Sequence, residues 1–393
     1  MSNTTLTPSL ISKETLVMLE NNLVAAGKVN RKFEDQFVKI GNTLTVRKPN
    51  RFKVVSGPGL QVQDVVEPST SITISNQKHV DFQFSSQELT LVIEEFSERY
   101  LKPAASELAS QLDYDVISNF NQLFNVVGTP GTIPANFSAL GAVGQRMDEG
   151  AVPQEDRTLI LNPAAYWSLA NGLIGLYVQS VSEPALKGFL AKIANFEIYM
   201  DQNVQSQTVG AYAGTPVVSG AGQTGSSLVT SGWSNSIANL LNVGDVFTVA
   251  GVHAINPKSR QSTGSLQQFV VTAAASSNGS GQATLSIYPP ITTAGAYQTV
   301  DASPANGAAI TVVGTASTSY AQNVGFVKDT FGLVTVPLEL PDGVDFKARE
   351  MYKGVSMRIV RAYDVNSDTV PCRVDILYGT ATYYPELGVR LTN

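Results

Sequence analysis

Leu16, Leu19, Leu23 and Ala26 recur at three- and four-residue steps and make one apolar stripe near the start of the chain. Ser12 can cap that stripe and Gly27 can end it, which predicts a helix over Ser12–Ala26. Nothing nearby can bury the stripe, so the helix docks on the body or on a neighbour. From about Phe37 to Leu91 the period becomes two. TLTVRKP, SITIS and VDFQF alternate around a GPG turn at Gly57–Gly59, which predicts a long two-stranded ribbon. A lone ribbon is marginal in water and needs a surface to lie on. The helical period then returns over Ser97–Asn125, through Tyr100, Leu101, Ala104, Leu108, Leu112, Val116, Phe120 and Phe124. At 1.5 Å per residue that helix would span about 40 Å. Pro103 falls in its early turns, where proline is tolerated. Glu94, Glu95 and Glu98 crowd its start, where the helix dipole favours acids. Gly128–Pro134 breaks the pattern. Beyond it RTLILNP reads as a buried strand, AAYWSLANGL as a helix and FEIYMD as another strand.

The sharpest change comes next. Between Tyr212 and Gln322 the charged side chains are Asp245, Lys258, Arg260 and Asp301, in a chain that is 15% charged overall. Short alternating runs rich in Ser, Thr, Gly and Ala (DVFTVAGV, LQQFVVTAA, GQATLSIYP, AAITVVG) mark this stretch as an inserted all-β module. Mixed character resumes with VGFVKDTFGLVTVPLELPDG, where Pro341-Asp342-Gly343 makes a turn. GVSMRIVRAYDV and CRVDILYGTATYY are two further strands.

Composition narrows the chemistry. The 393 residues are 43% hydrophobic, and their 15% charged content sits well below the roughly 25% of an ordinary globular chain. Low surface charge suits faces covered by copies of the same chain. A net charge of −6 disfavours condensing nucleic acid. No apolar run reaches spanning length, so no membrane segment is expected, and the polar start MSNTTLTPSLISKETL does not read as a signal peptide. Cys372 is the single cysteine and reads as a buried thiol in a strand. Only His79 and His253 are available for acid–base or metal work, which argues against an enzyme.

Gly220-Ala221-Gly222-Gln223-Thr224-Gly225 matches GxGxxG, and Asp245 follows about twenty residues later. A dinucleotide site needs a helix to start at the last glycine. SSLVTSGWS follows instead, so a domain junction is the better reading. Asp113 and Asp115 sit two apart on the long helix and face different ways. They are expected to be solvated or at a contact rather than a catalytic dyad. No catalytic, cofactor or metal residue is assigned. Arg47, Lys48, Arg51 and Lys53 form a basic cluster in the ribbon. It is either a solvated tip, which contributes little, or the partner of Glu94, Glu95 and Glu98 on a neighbouring copy. Those residues are the candidate inter-subunit contacts.

The segments and their order resemble the HK97-like fold of tailed-phage major capsid proteins. TPSLISKETLVMLENNL, VNRKFEDQF and GNTLTVRKP are similar to the arm and the start of the extended loop in coat proteins of the Salmonella-podovirus type. FSERYLKPAASELASQLDYDV resembles that group's spine helix, and GDVFTVAGVHAINPKSR with LQQFVVTAA its inserted domain. NVGFVKDTFGLVTVPLELP and DILYGTATYYPELGVRL resemble closing strands seen widely among phage capsids. The resemblance implies an α+β chain with an N-terminal arm (1–36), an extended β-loop (37–92) and a spine helix (93–130) sharing a peripheral domain with 345–393. It further implies an axial domain (131–211 and 323–344) and an inserted β-barrel (212–322). The implied function is structural. The chain would form pentamers and hexamers of an icosahedral head that encloses double-stranded DNA without sequence-specific binding. Implied partners are a scaffolding protein, a portal at one vertex and, on some heads, a decoration protein, with assembly in the host cytoplasm. The alternative is the shell of a cellular nanocompartment with the same fold. One departure stands out: between VVSGAG and VGDVFTVAG the connection is short and nearly uncharged, where relatives can carry a longer charged loop between capsomers. Those contacts are not carried over.

Overall fold

In the computed structural model of the chain the described residues are 8–32, 43–60, 62–63, 65, 67–85, 100–173, 192–344 and 346–393. Their elements begin with helix α1 (Pro8–Asn22) and strands β1 (Thr43–Arg47), β2 (Ser69–Thr73) and β3 (Asn76–Ser85). Helix α2 (Lys102–Ile117), strand β4 (Val126–Val127), helix α3 (Phe137–Glu149), strand β5 (Arg157–Leu161) and helix α4 (Pro163–Leu173) follow. Then come β6 (Lys192–Ile193), β7 (Phe196–Met200), β8 (Ser206–Thr208), β9 (Gly214–Val218), β10 (Gly225–Trp233) and β11 (Val246–Ile255). The chain continues through β12 (Ser262–Val271), β13 (Ala283–Ile291), β14 (Ile310–Val312), β15 (Ser319–Val327) and β16 (Phe331–Thr335). It closes with β17 (Phe346–Tyr352), β18 (Val355–Arg361), β19 (Thr369–Thr382) and β20 (Gly388–Thr392). These elements divide into two units: 1–47, 69–116 and 331–383 form one, and 48–68, 117–330 and 384–393 the other.

The first unit is built on a five-stranded sheet in the order β16-β19-β18-β17, with β3 also pairing to β19. Helix α1 packs on β17 and β18 and buries Leu16 and Leu19 completely. It covers Pro8–Asn22 rather than Ser12–Ala26. Its far end is cut short by Asp113 of α2. That carboxylate accepts the backbone N–H groups of Val24 at 2.8 Å and Ala26 at 2.7 Å, so these amides do not continue the helix. Arg31 then ties the turn down, donating to Glu20, to the Ala26 carbonyl and to the Lys353 carbonyl of the β17–β18 hairpin.

Two sequence expectations change here. The ribbon is only β1 with β2, paired from Thr43↔Thr73 to Arg47↔Ser69. VDFQF is not part of it. It belongs to β3, which runs antiparallel to β19 from Ser85↔Thr369 to Asn76↔Tyr378. Phe84 is buried there, with Tyr100 edge-on at 4.8 Å, so the alternating aromatic face is satisfied by the sheet. The long helix is also shorter than its pattern suggested. α2 ends at Ile117 and Ser118–Gln122 tightens into a 3₁₀ turn. SNFNQ supplies three short polar side chains that compete for the backbone.

The second unit contains two sheets. One has seven strands in the order β4-β20-β15-β5-β7-β6, with β8 pairing to β15. RTLIL (β5) is buried at every position and pairs parallel to β7. Leu140, Val143 and Met147 of α3 and Ala165, Tyr166 and Leu169 of α4 share its core with Phe196, Val389 and Leu391. The other sheet has six strands in the order β14-β11-β12-β13-β10-β9, and a bridge between Val217 and Ala309 brings its two ends together as a barrel. Its alternating runs bury Leu228, Trp233, Phe247, Phe269, Leu285 and Ile287 in a core of their own.

Candidate assembly surface

Residues 48–68 belong to the second unit, and the described ones among them are not in a strand. Their apolar side chains point to solvent: Val54, Leu60 and Val62 are 93, 92 and 84% exposed, and Phe52 and Val65 more than half. Gln63 closes this loop from the side. It accepts the Lys53 N–H at 2.8 Å and donates to the Lys53 carbonyl at 2.5 Å, imitating a strand pair.

The root of the loop is held by charge and aromatic rings. Arg51 Nη2 lies 2.6 Å from Glu386 Oε1. The Arg51 N–H donates to the Tyr297 hydroxyl at 3.3 Å. The Tyr288 hydroxyl donates to the other Glu386 oxygen at 3.3 Å. Burial, reinforced by the Glu386 carboxylate, pushes the Tyr288 phenol above its ordinary range. The Lys48 ammonium sits 5.0 Å from the centre of the Tyr384 ring, and its N–H donates to the Pro68 carbonyl at 2.7 Å. Burial lowers its pKa, while Glu386 opposes that shift.

A second cluster joins the barrel to the seven-stranded sheet. Arg390 of β20 is fully buried; its Nη1 donates to the Gly244 carbonyl at 2.8 Å and its plane lies over the Phe120 ring. Among the described residues its Nε and Nη2 meet no acceptor. Burial pulls the guanidinium down to about 9, and Asp245 opposes the shift. Asp245 accepts the N–H groups of Gly210 and Asn242, each at 2.8 Å, and the Gln207 amide at 2.9 Å. Arg390 and Asp245 line one small cavity. Gly244 has φ +93°, and a Cβ there would meet Gln207 and Asn121 at about 3 Å. Nearby, the Gln268 side chain pairs with the backbone of β4. It accepts the Val126 N–H at 2.8 Å and donates to the Val126 carbonyl at 2.7 Å. Phe124, Val126, Val246 and Val270 fill the seam beneath it.

A family model for the P22 coat protein, gene protein 5, matches residues 2–393. The chain belongs to that family. The major capsid protein of Acyrthosiphon pisum secondary endosymbiont phage 1 is 28% identical to this coat-family chain over 167 residues, spanning 40% of the chain and 39% of that relative. The solved structure of Mycobacterium phage Che8 aligns at a TM-score of 0.51 and 12% identity, covering 94% of this chain and 90% of that one. The asymmetric unit of the bacteriophage PhiM1 mature capsid aligns at 0.45 and 8% identity, over 89% of this chain and 82% of that one. The fold is the HK97-like α+β fold with one barrel-like sheet.

The residues singled out from sequence are distributed as follows. Arg47 ends β1, Lys48 and Arg51 form the loop root, and Lys53 holds the Gln63 clasp through its backbone. Glu94, Glu95 and Glu98 lie outside the described residues. The acid that meets Arg51 is Glu386 of its own chain. Gly225 starts strand β10 rather than a helix, so the GxGxxG run lacks the helix N-terminus a pyrophosphate needs. Asp113 is buried as the acceptor of two amides, and Asp115 accepts the Tyr378 hydroxyl at 2.6 Å. Both are structural. Cys372 is buried in β19, and its thiol is pushed up to about 11. His253 pairs with Asp301 at 2.8 Å. Sequence reasoning missed Glu386, Arg390 and Gln268. The available signal was an arginine inside the otherwise apolar closing strand GVRLT, which asks for a buried acceptor.

Proposed function

We propose that this chain is the major capsid subunit of a tailed phage, forming pentamers and hexamers of an icosahedral head around packaged double-stranded DNA. Its work is association, not catalysis. In this reading residues 1–36 are the arm, 37–92 the extended loop, 93–130 and 345–393 the spine and peripheral domain. Residues 131–211 and 323–344 are the axial domain, and 212–322 the inserted barrel.

The observation that carries the reading is the row of exposed apolar side chains on residues 52–65. A contiguous apolar surface marks an interaction site. Covering Phe52, Val54, Leu60, Val62 and Val65 on a neighbour would contribute on the order of 10 kcal/mol per subunit before ordering costs. Repeated around a ring, such a heterologous contact closes into a capsomer. The net charge of −6 is compatible with DNA enclosed by a shell that has no basic lining. A scaffolding protein guiding closure and a portal at one vertex complete the proposal, with assembly in the host cytoplasm.

Expression with and without a candidate scaffolding protein, followed by sedimentation and negative-stain microscopy, tests it. Closed uniform particles that need the scaffold are expected. Closed particles without it would transfer the reading to a self-assembling nanocompartment shell, and a monomer under both conditions would overturn assembly altogether.

A further inference from the structure

The loop that offers the apolar surface is not loose at its root. Residues 48 to 53 make contacts with two other parts of the second unit, and each contact is of a different kind. Arg51 meets Glu386 at 2.6 Å in the 3₁₀ turn before β20, and the same Glu386 takes the hydroxyl of Tyr288 from barrel strand β13. The Arg51 amide donates to Tyr297, which follows β13 in the chain. Lys48 rests on Tyr384, two residues before Glu386. At 40 and 26% exposure the Arg51–Glu386 pair alone would contribute little. Here the carboxylate is already oriented by a second donor, so less side-chain freedom is lost when the guanidinium docks.

We propose that Arg51, Glu386 and Tyr288 form a latch within one subunit that fixes the root of the 52–65 loop against the inserted barrel before any neighbour is met. The consequence rests on the capsid reading: a loop already aimed loses less entropy when its apolar row is covered, so assembly is faster and more uniform. In this proposal Arg51 and Lys48 of the basic cluster act inside their own chain. The barrel gains a task, that of a backstop for the loop.

The latch is a property of the isolated subunit, so its test separates from the assembly claim. The Lys48, Arg51 and Lys53 amides donate to Pro68, Tyr297 and Gln63 and serve as reporters. In unassembled protein, Arg51→Glu and Glu386→Arg should each speed hydrogen exchange over these amides by about five-fold, the scale a partly exposed network can support. The doubly reversed chain should restore the wild-type rate. Tyr288→Phe, which removes only a hydroxyl, should give a smaller increase and keeps the test decisive if a reversal fails to fold. In assembly, a mixture of the two single variants should form particles poorly, while the double variant forms them at the wild-type rate. Unchanged exchange in the single variants and in Tyr288→Phe overturns the latch. Rescue by mixing the single variants overturns it too, because the pair would then lie between subunits. If wild-type protein never assembles, the capsid reading fails, and the exchange data still judge the latch.

Discussion

Arg390 and Asp245 show what a single buried charge does in this protein. The guanidinium has one protein acceptor, and the carboxylate has three donors yet is still raised above its ordinary value of 3.8 because burial outweighs them. Each group therefore relies on the other's field across the cavity they line. Asp245→Asn can take Gly210 and Asn242 on its carbonyl, but its amino group then faces the Gln207 amide, which cannot turn without giving up its bonds to the Val243 and Thr208 carbonyls. The loss comes from that broken hydrogen-bond set, and it is partly offset because burial already opposes the carboxylate's ionisation. We expect a loss of about 2 kcal/mol in urea unfolding of the unassembled subunit. Arg390→Met should lose a similar amount, and the double variant clearly less than the sum of the two. The pH dependence follows from the direction of the shift. A raised carboxylate binds its proton more tightly in the folded state, so the wild type's stability from this group falls as pH rises from 3.8 through the raised folded value. Asp245→Asn should remove that slope. An identical slope in wild type and variant would show that the carboxylate is not held as described.

At the scale of elements, what was legible and what was hidden follow from where each strand or helix finds its hydrogen bonds. The period of α1 was plain, but its end was set by Asp113, 87 residues away from Ala26 in sequence. No local signal shows a carboxylate taking two amides from another element. Asp113→Ala would leave the Val24 and Ala26 donors unpaired at a cost of about 1–3 kcal/mol. Exchange at those two amides should rise more than exchange in the middle of α1, and equal protection would contradict the capping role. The β-ribbon was half legible for a related reason. Alternation in VDFQF correctly announced a strand, but alternation does not name the partner, and β19 is almost 300 residues further on. The inserted barrel was the clearest element. Its lack of charge and its short alternating runs are local properties of composition, so they could be read without knowing a single long-range contact.

For the whole molecule the informative question is how a nearly uncharged barrel is held to the seven-stranded sheet of the same unit. The seam combines the Gln268 clasp on Val126, the Asn256 amide on the Glu149 carbonyl at 2.9 Å, and the apolar contact of Phe124 and Val126 with Val246 and Val270. Apart from Arg390 and Asp245, which are shielded from ions by burial, these interactions are short-ranged. Raising salt from about 0.1 to 1 M shrinks the Debye length from about 10 to 3 Å, and it should leave the docking unchanged. Removing the clasp should not. Gln268→Ala strands a backbone donor and a backbone acceptor of β4 beneath the barrel, which costs about 2 kcal/mol. The barrel keeps its own core of Phe247, Phe269 and Leu285, so this loss falls on the seam rather than on the module. Calorimetry should therefore resolve the barrel's melting from that of the remaining fold in Gln268→Ala, whereas a single coupled transition is expected for the wild type. A single transition merely moved to lower temperature would mean that the barrel and the sheet unfold as one body and that the clasp is only one contact among many.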